Sequence, residues 1–220
     1  RDSSTSRGLG DVYKRQAVDL DVCRRVTIRG CYFSTDDDGV CIKGGKGTFA
    51  QKGRENGSVE DVLVEGCTFG PNLHGILTMG SECIHARNIT LRDCKVETGC
   101  TILRLKMRPD TYQIYENITI DGVTGKCGSV IEMKPWAQFF NLEGDGEKPF
   151  GTVRDITVRN VDVKCKSFGI MEGNPDDRVS SITFSNVHVQ ADSDTFRDAY
   201  QEETRMENVT VNGNPIKYED

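Results

Sequence analysis

From Val26 onward the chain keeps returning to one short pattern. A branched apolar residue is followed by Thr or Leu, an apolar residue, a polar one, then Gly, Asp or Asn, Cys or Val, a polar residue and an apolar one. It reads Val26-Thr27-Ile28-Arg29-Gly30-Cys31-Tyr32-Phe33, and recurs as Val62–Phe69 and Ile89–Val96. A looser copy starts at Ile118, clear copies run over Ile156–Val163 and Ile182–Val189, and Val209–Gly213 closes the series. Starts fall 36, 27, 29, 38, 26 and 27 residues apart. Alternation with period two and β-branched residues predict strands. A period in the twenties, stretched twice by insertions, predicts a solenoid. A second short strand follows each first one, at Val40–Lys43, Ile76–Met79, Ile102–Lys106, Val130–Met133 and Phe168–Met171. With no convincing helical segment, the expected fold is all-β: a parallel β-helix.

Coils stacked at about 4.8 Å turn each repeat position into a ladder. Cys31, Cys67 and Cys94 share a position that later coils fill with Val123, Val161 and Val187, so these thiols are expected to face the core. None of the nine cysteines has Cys-x-x-Cys spacing, which argues against a structural zinc site. Asn56, Asn88, Asn117 and Asn208 match glycosylation acceptors, but three of them precede the Ile/Val-Thr of the repeat, and corner asparagines are the simpler reading.

Four stretches depart from the pattern. Lys46–Ser58 is rich in Gly, Lys and Asn and reads as a loop. Lys134–Gly151 carries the only Trp, Trp136, near Phe139 and Phe140, which either plug the solenoid or form a sugar-stacking platform. The tail from Asp192 is charged and is expected to cover the last coil's edge. Residues 1–16 are polar and aperiodic, and Asp11–Gln16 is similar to a translated sequencing-library adapter. They are read as a foreign head on an N-terminally truncated β-helix domain spanning 17–220, with any export signal missing.

The 220 residues are 36% hydrophobic with a net charge of −6, enough for one continuous core. No apolar run approaches the roughly 18 residues of a membrane span. The acidic balance argues against nucleic acid as a partner, because phosphate binding needs a clustered positive surface. An acidic protein acting on an acidic polymer needs a local basic patch.

Candidate chemistry sits at Asp36-Asp37-Asp38, between two apolar runs. Alone, such a cluster is ordinarily a solvated turn. Here Asp38 lies 12 residues after Val26 and His74 lies 12 after Val62, which predicts that the two face one groove on neighbouring coils. One coil further come Arg104 and Lys106, on a shared strand face. Two carboxylates, an imidazole and two cations are thus expected on one surface.

These residues resemble glycoside hydrolase family 28, the polygalacturonase-like pectinases. Asp37-Asp38-Gly39-Val40-Cys41-Ile42-Lys43-Gly44-Gly45 is similar to its Asp-Asp-x-Ile-Ala-Ile-Lys-Ser-Gly signature. His74–Glu82 is similar to its Gly-His-Gly-Ile-Ser-Ile-Gly-Ser-Glu segment, and Arg104-Leu105-Lys106 to its Arg-Ile-Lys. Asp36 and Leu73 stand where the family has Gly, and the upstream catalytic Asp falls at Gln16. The resemblance implies a right-handed parallel β-helix, an inverting hydrolase, and a galacturonate-containing plant cell-wall polysaccharide as partner. It implies no cofactor, no metal, no nucleic acid, no membrane and a monomer, secreted or periplasmic. Asp37 would be the general acid, Asp38 with the upstream Asp the base, His74 a support for the acid or a contact to the sugar, and Arg104 and Lys106 the carboxylate binders. The crowded carboxylates are expected to raise one another's proton affinity. The rival readings are a calcium-dependent pectate-type lyase and a non-catalytic carbohydrate-binding solenoid.

Overall fold

The computed structural model describes residues 16–47, 57–138 and 148–219. The chain is a right-handed parallel β-helix whose coils build two long sheets. The first, here the site sheet, stacks Val18–Asp21, Val40–Lys43, Gly75–Met79, Thr101–Met107, Ser129–Pro135, Ser167–Met171, Thr195–Asp198 and Lys217–Tyr218, in chain order and parallel. The second, the ladder sheet, stacks the first strand of each repeat from Arg24–Arg29 to Thr204–Val211. Both sheets turn their branched apolar residues inward. Val62, Ile89, Ile118, Ile156 and Ile182 lie directly above one another and are almost wholly buried.

The cysteine ladder follows the predicted register. Cys94 sits over Val123, Val161 and Val187, with Cys67 and Cys94 inside the core and Cys31 half-buried at the thinner N-terminal end. All nine thiols are free.

The asparagines have a backbone reason to be where they are. Each long strand of the ladder sheet bends at a residue with φ between 51° and 57°, namely Asp61, Asn88, Asn117, Asp155, Ser181 and Asn208. Among residues other than glycine, Asn and Asp enter this left-handed region most readily. Their side chains also bond up the stack: Asn117 donates to Asn88 (2.7 Å) and Asn88 to Asp61 (2.9 Å). Asn56 lies outside the described residues.

The charged tail does not simply cap the stack. Residues 195–198 and 204–211 build another coil, with Phe196, Val209 and Val211 buried. Phe196 joins Phe168 and Phe184 in an aromatic stack with centroids 4.8–6.1 Å apart. Among the described residues, only Asn214–Pro215 runs antiparallel, folding back on the last ladder strand. The last repeat copy at Val209–Gly213 thus forms the expected ladder strand, whereas the expectation that the tail from Asp192 only covers an edge is corrected by the site-sheet strand at Thr195–Asp198, whose one inward apolar residue is Phe196. The foreign-head reading of residues 1–16 lies outside the described residues, except at Gln16. Among the described residues, no helix is long and apolar enough to cross a membrane.

Candidate active site

The site is built on the outward face of the site sheet, where the chain enters its second to fourth strands. Asp37 and Asp38 close the corner before Val40–Lys43; the Asp38 N–H donates to the Asp37 carboxylate at 2.9 Å. Asp38 has no exposed surface. Lys106 donates to its Oδ2 at 2.7 Å, and Arg104 to its Oδ1 at 3.3 Å. The two cations alternate along Thr101–Met107, so strand geometry points both outward at the same carboxylate.

Burial alone would push the Asp38 carboxyl up. The Lys106 ammonium, and behind it the Arg104 guanidinium, outweigh burial and hold it below the ordinary aspartate value. This reverses the crowding expectation for Asp38. The nearest charges to it are not carboxylates but two cations.

His74 lands elsewhere than its spacing predicts. Val26 pairs with Val62 and Phe33 with Phe69, but Val40 pairs with Leu77. One extra residue sits in the corner between Phe69 and Leu77, so equal offsets fail beyond it. His74 therefore lies beside Asp37, not Asp38: its N–H donates to the Asp37 carbonyl at 3.1 Å, and its Nδ1 stands 3.6 Å from the Asp37 carboxylate. Its side chain is 61% exposed, leaving the ring available to a ligand. Gly75 takes the position over Asp38, and for a spatial reason. A Cβ there would meet the Thr78 hydroxyl at 2.5 Å and Asp38 Oδ1 at 3.0 Å.

On the other side of Asp38 lies Gln16. Val18 pairs with Val40, and Ala17 N–H donates to the Asp38 carbonyl at 3.1 Å, which puts position 16 one rung before Asp38. A side chain at 16 thus neighbours the carboxylate pair.

Two further residues belong to this surface and a third anchors the insertion beside it; none was singled out by spacing. Glu132, in register with Arg104, accepts from its Nε at 2.9 Å and from Lys134 at 3.0 Å. It was findable, since it is simply the next rung of the Arg104 ladder. Trp136 leaves the strand with its N–H on the Met107 carbonyl, and its ring lies 4.7 Å from Lys106 Nζ and 5.4 Å from the Arg104 guanidinium. Its half-buried ring packs against the outward face of the site sheet, over the two cations. Phe139 and Phe140 lie outside the described residues. Arg108, wholly buried, clasps Asp110 through two 2.7 Å bonds and reaches the Gln138 carbonyl at 3.1 Å. It ties the start of the second insertion to the coil below.

Chemically, the arrangement offers one half-buried carboxyl beside an exposed imidazole and one buried carboxyl that Lys106 and Arg104 hold below the ordinary aspartate value. It adds two cations with donors to spare, because Lys carries three and Arg five. Among the described residues, no group of three or more acidic, His or Cys side chains could hold a metal ion.

The family model described as Glycosyl hydrolases family 28 matches residues 10–214. No curated protein sequence matches the chain. Among solved structures, the chain is similar to a family 28 exopolygalacturonase from Yersinia enterocolitica, with 13% identity and a TM-score of 0.41. That match covers 93% of this chain and 38% of the other, so the chain spans well under half the length of that structure.

Proposed function

Because the chain belongs to glycosyl hydrolases family 28, we propose that it derives from an inverting hydrolase of galacturonate-containing polysaccharide: pectin, polygalacturonate or rhamnogalacturonan. The observation that carries this reading is the Asp37–Asp38 pair, with one carboxyl accessible beside His74 and the other buried under Lys106 and Arg104. Hydrolysis with inversion needs an acid on the departing oxygen and a base on a water at the opposite face of the ring. Asp37 is the acid, and His74 supports it from 3.6 Å.

Asp38 is a base only in company. Both its oxygens are engaged and its surface is covered. A carboxylate at position 16, one rung away, would contact the water, with Asp38 fixing the field around it. Gln16 cannot ionise, so this chain is a weak or inactive hydrolase as it stands. Lys106 and Arg104 use their remaining donors on the carboxylate of the sugar, Arg being suited to a bidentate grip. A polysaccharide of this kind lies outside the cytoplasm, which places the protein in a secreted or periplasmic setting, acting as a monomer.

Product analysis tests the reading. Gln16→Asp protein on polygalacturonate should yield new reducing ends and no unsaturated, ultraviolet-absorbing ends, with chelator making no difference. Adding Asp37→Asn should silence it by about 10²–10⁴-fold, the usual worth of a general acid. Unsaturated ends abolished by chelator would establish a lyase instead, and binding unaffected by any of these changes, without turnover, a carbohydrate-binding solenoid.

A further inference from the structure

Where the ladder sheet starts two of its long strands, Ser58 and His85 stand in register on neighbouring rungs. The Ser58 hydroxyl lies 3.1 Å from His85 Nδ1, and the other ring nitrogen, Nε2, lies 2.8 Å from Glu116 Oε1. On the next rung Ile114 is the partner in register with His85, so the ring reaches Glu116 diagonally, two residues further along. The second Glu116 oxygen accepts from Arg154 Nε at 2.8 Å. The His85 side chain is 24% exposed and that of Glu116 14%, with Ser58 half-buried at the start of its strand. A hydroxyl, an imidazole and a carboxylate thus form one chain of hydrogen bonds, open to solvent at its hydroxyl end.

This chain settles where the ring proton sits. Burial pushes the Glu116 carboxyl up, but the hydrogen bonds from His85 and Arg154 outweigh it and hold the group below the ordinary glutamate value. A carboxylate only accepts, so in the neutral imidazole Nε2 carries the hydrogen and Nδ1 presents its lone pair to the Ser58 hydroxyl. A nucleophile within reach of a base, with the base oriented by a third group, is the arrangement that activates a hydroxyl. The other imidazole–hydroxyl pair on this face lacks the third member. His188 Nδ1 lies 3.0 Å from the Thr210 hydroxyl, but among the described residues His188 has no carboxylate at ion-pair distance.

We propose that Ser58, His85 and Glu116 form a second active site, which cleaves carboxylic esters through an acyl-serine. Ser58 Oγ attacks the ester carbonyl while its proton passes to His85 Nδ1. The tetrahedral adduct collapses and expels the alcohol, which takes that proton from the imidazolium. Water, giving a proton to His85, then attacks the acyl group, and Ser58 leaves with that proton as the free acid departs. Glu116 is a positioning residue: it fixes the tautomer and favours the imidazolium. Arg87, which bonds Glu60 at 2.6 Å two residues along the strand from Ser58, adds positive charge on this face for the developing oxyanion. The site lies on the ladder sheet and uses none of Asp37, Asp38 or position 16, so it stands apart from the hydrolase reading.

A serine-directed fluorophosphonate, followed by peptide mass spectrometry of the native chain, tests the proposal together with 4-nitrophenyl acetate hydrolysis. The expected result is an adduct on Ser58 and none on Thr210. Ester turnover is read as the difference from Ser58→Ala, which subtracts any contribution of the nine thiols. His85→Gln should slow both labelling and turnover at least tenfold, and Glu116→Gln by a smaller factor. Exposed ladder pairs add little to stability, so these variants should melt with the native chain, and the comparison is made between folded proteins. Methanol released from a methyl-esterified sugar, or acetate from an O-acetylated one, identifies the ester that the site takes. An unlabelled Ser58, labelling that His85→Gln does not slow, or equal labelling of Thr210 would overturn the proposal and leave the hydrolase reading untouched.

Discussion

The two outward faces of the solenoid use the same device, ion pairs between neighbouring rungs, with opposite consequences. On the ladder sheet, Glu65 lies between Arg29 and Arg92, Glu60 between Arg24 and Arg87, and Glu116 between His85 and Arg154. Their arginine side chains are 44–69% exposed. Water and salt screen such pairs, and each is worth little. On the site sheet, Asp38 is wholly covered and its Lys106 partner is 10% exposed. A buried pair gains little over an apolar replacement, but removing one partner strands the other's charge. Pairing on one face is interchangeable decoration of a wall, and on the other it is what permits a carboxylate to exist there at all.

Position 16 should break this equivalence most. Gln16→Asp places a carboxylate beside Asp38, and turnover on polygalacturonate should rise about 10²–10⁴-fold. Thr90→Asp, a new carboxylate on the ladder face, should leave turnover and binding where they were. Reducing-end release measures both, and an unchanged Gln16→Asp rate would remove the proposed base.

Stability sharpens the contrast next. Lys106→Met should cost about 3–5 kcal/mol in denaturant unfolding, because Asp38 is left buried and half-paired. Arg92→Met, which takes a partner from Glu65, should shift the midpoint barely, and less still at high salt. Comparable losses in the two variants would mean that burial does not separate the faces.

Acid should act through the same asymmetry. The folded Asp38 value lies below its unfolded one, so the group stabilises the fold above the unfolded value and loses that contribution as pH falls through the folded one. Unfolding free energy of the native chain should therefore slope downward below the ordinary aspartate range. Asp38→Asn should slope less, and identical slopes would contradict the linkage.

The smallest effect is steric. Gly75→Ala drives a Cβ against Thr78 and Asp38 and should cost about 1–3 kcal/mol, as overpacking does. Gly99→Ala, with nothing within 4 Å, should be nearly silent in the same melt.

Much of this was legible in the chain itself. Seven repeat starts placed the ladder-sheet strands, and the shared position of Cys31, Cys67 and Cys94 placed their side chains relative to the core. Those features depend on local alternation, which a solenoid copies faithfully from coil to coil. The site was legible in membership but not in geometry. The spare residue between Phe69 and Leu77 moved His74 from Asp38 to Asp37, and corners carry no periodicity from which to count it. The engagement of Arg104 and Lys106 with Asp38 depended on side-chain reach across two rungs, which register alone does not specify. Glu132 was one rung further along a ladder already drawn. Trp136 could not be placed, because an insertion owes its path to contacts such as Arg108 with Gln138 rather than to a repeat.

The most direct measurement is a pH titration of the Asp38 side-chain carboxyl by carbon NMR, in the native chain and in Lys106→Met. The prediction is a midpoint below that of an ordinary aspartate in the native chain, moving upward when the ammonium is removed. A native midpoint at or above the ordinary value, or one indifferent to Lys106, would contradict the claim that the buried Lys106 and the half-buried Arg104 keep this carboxylate charged.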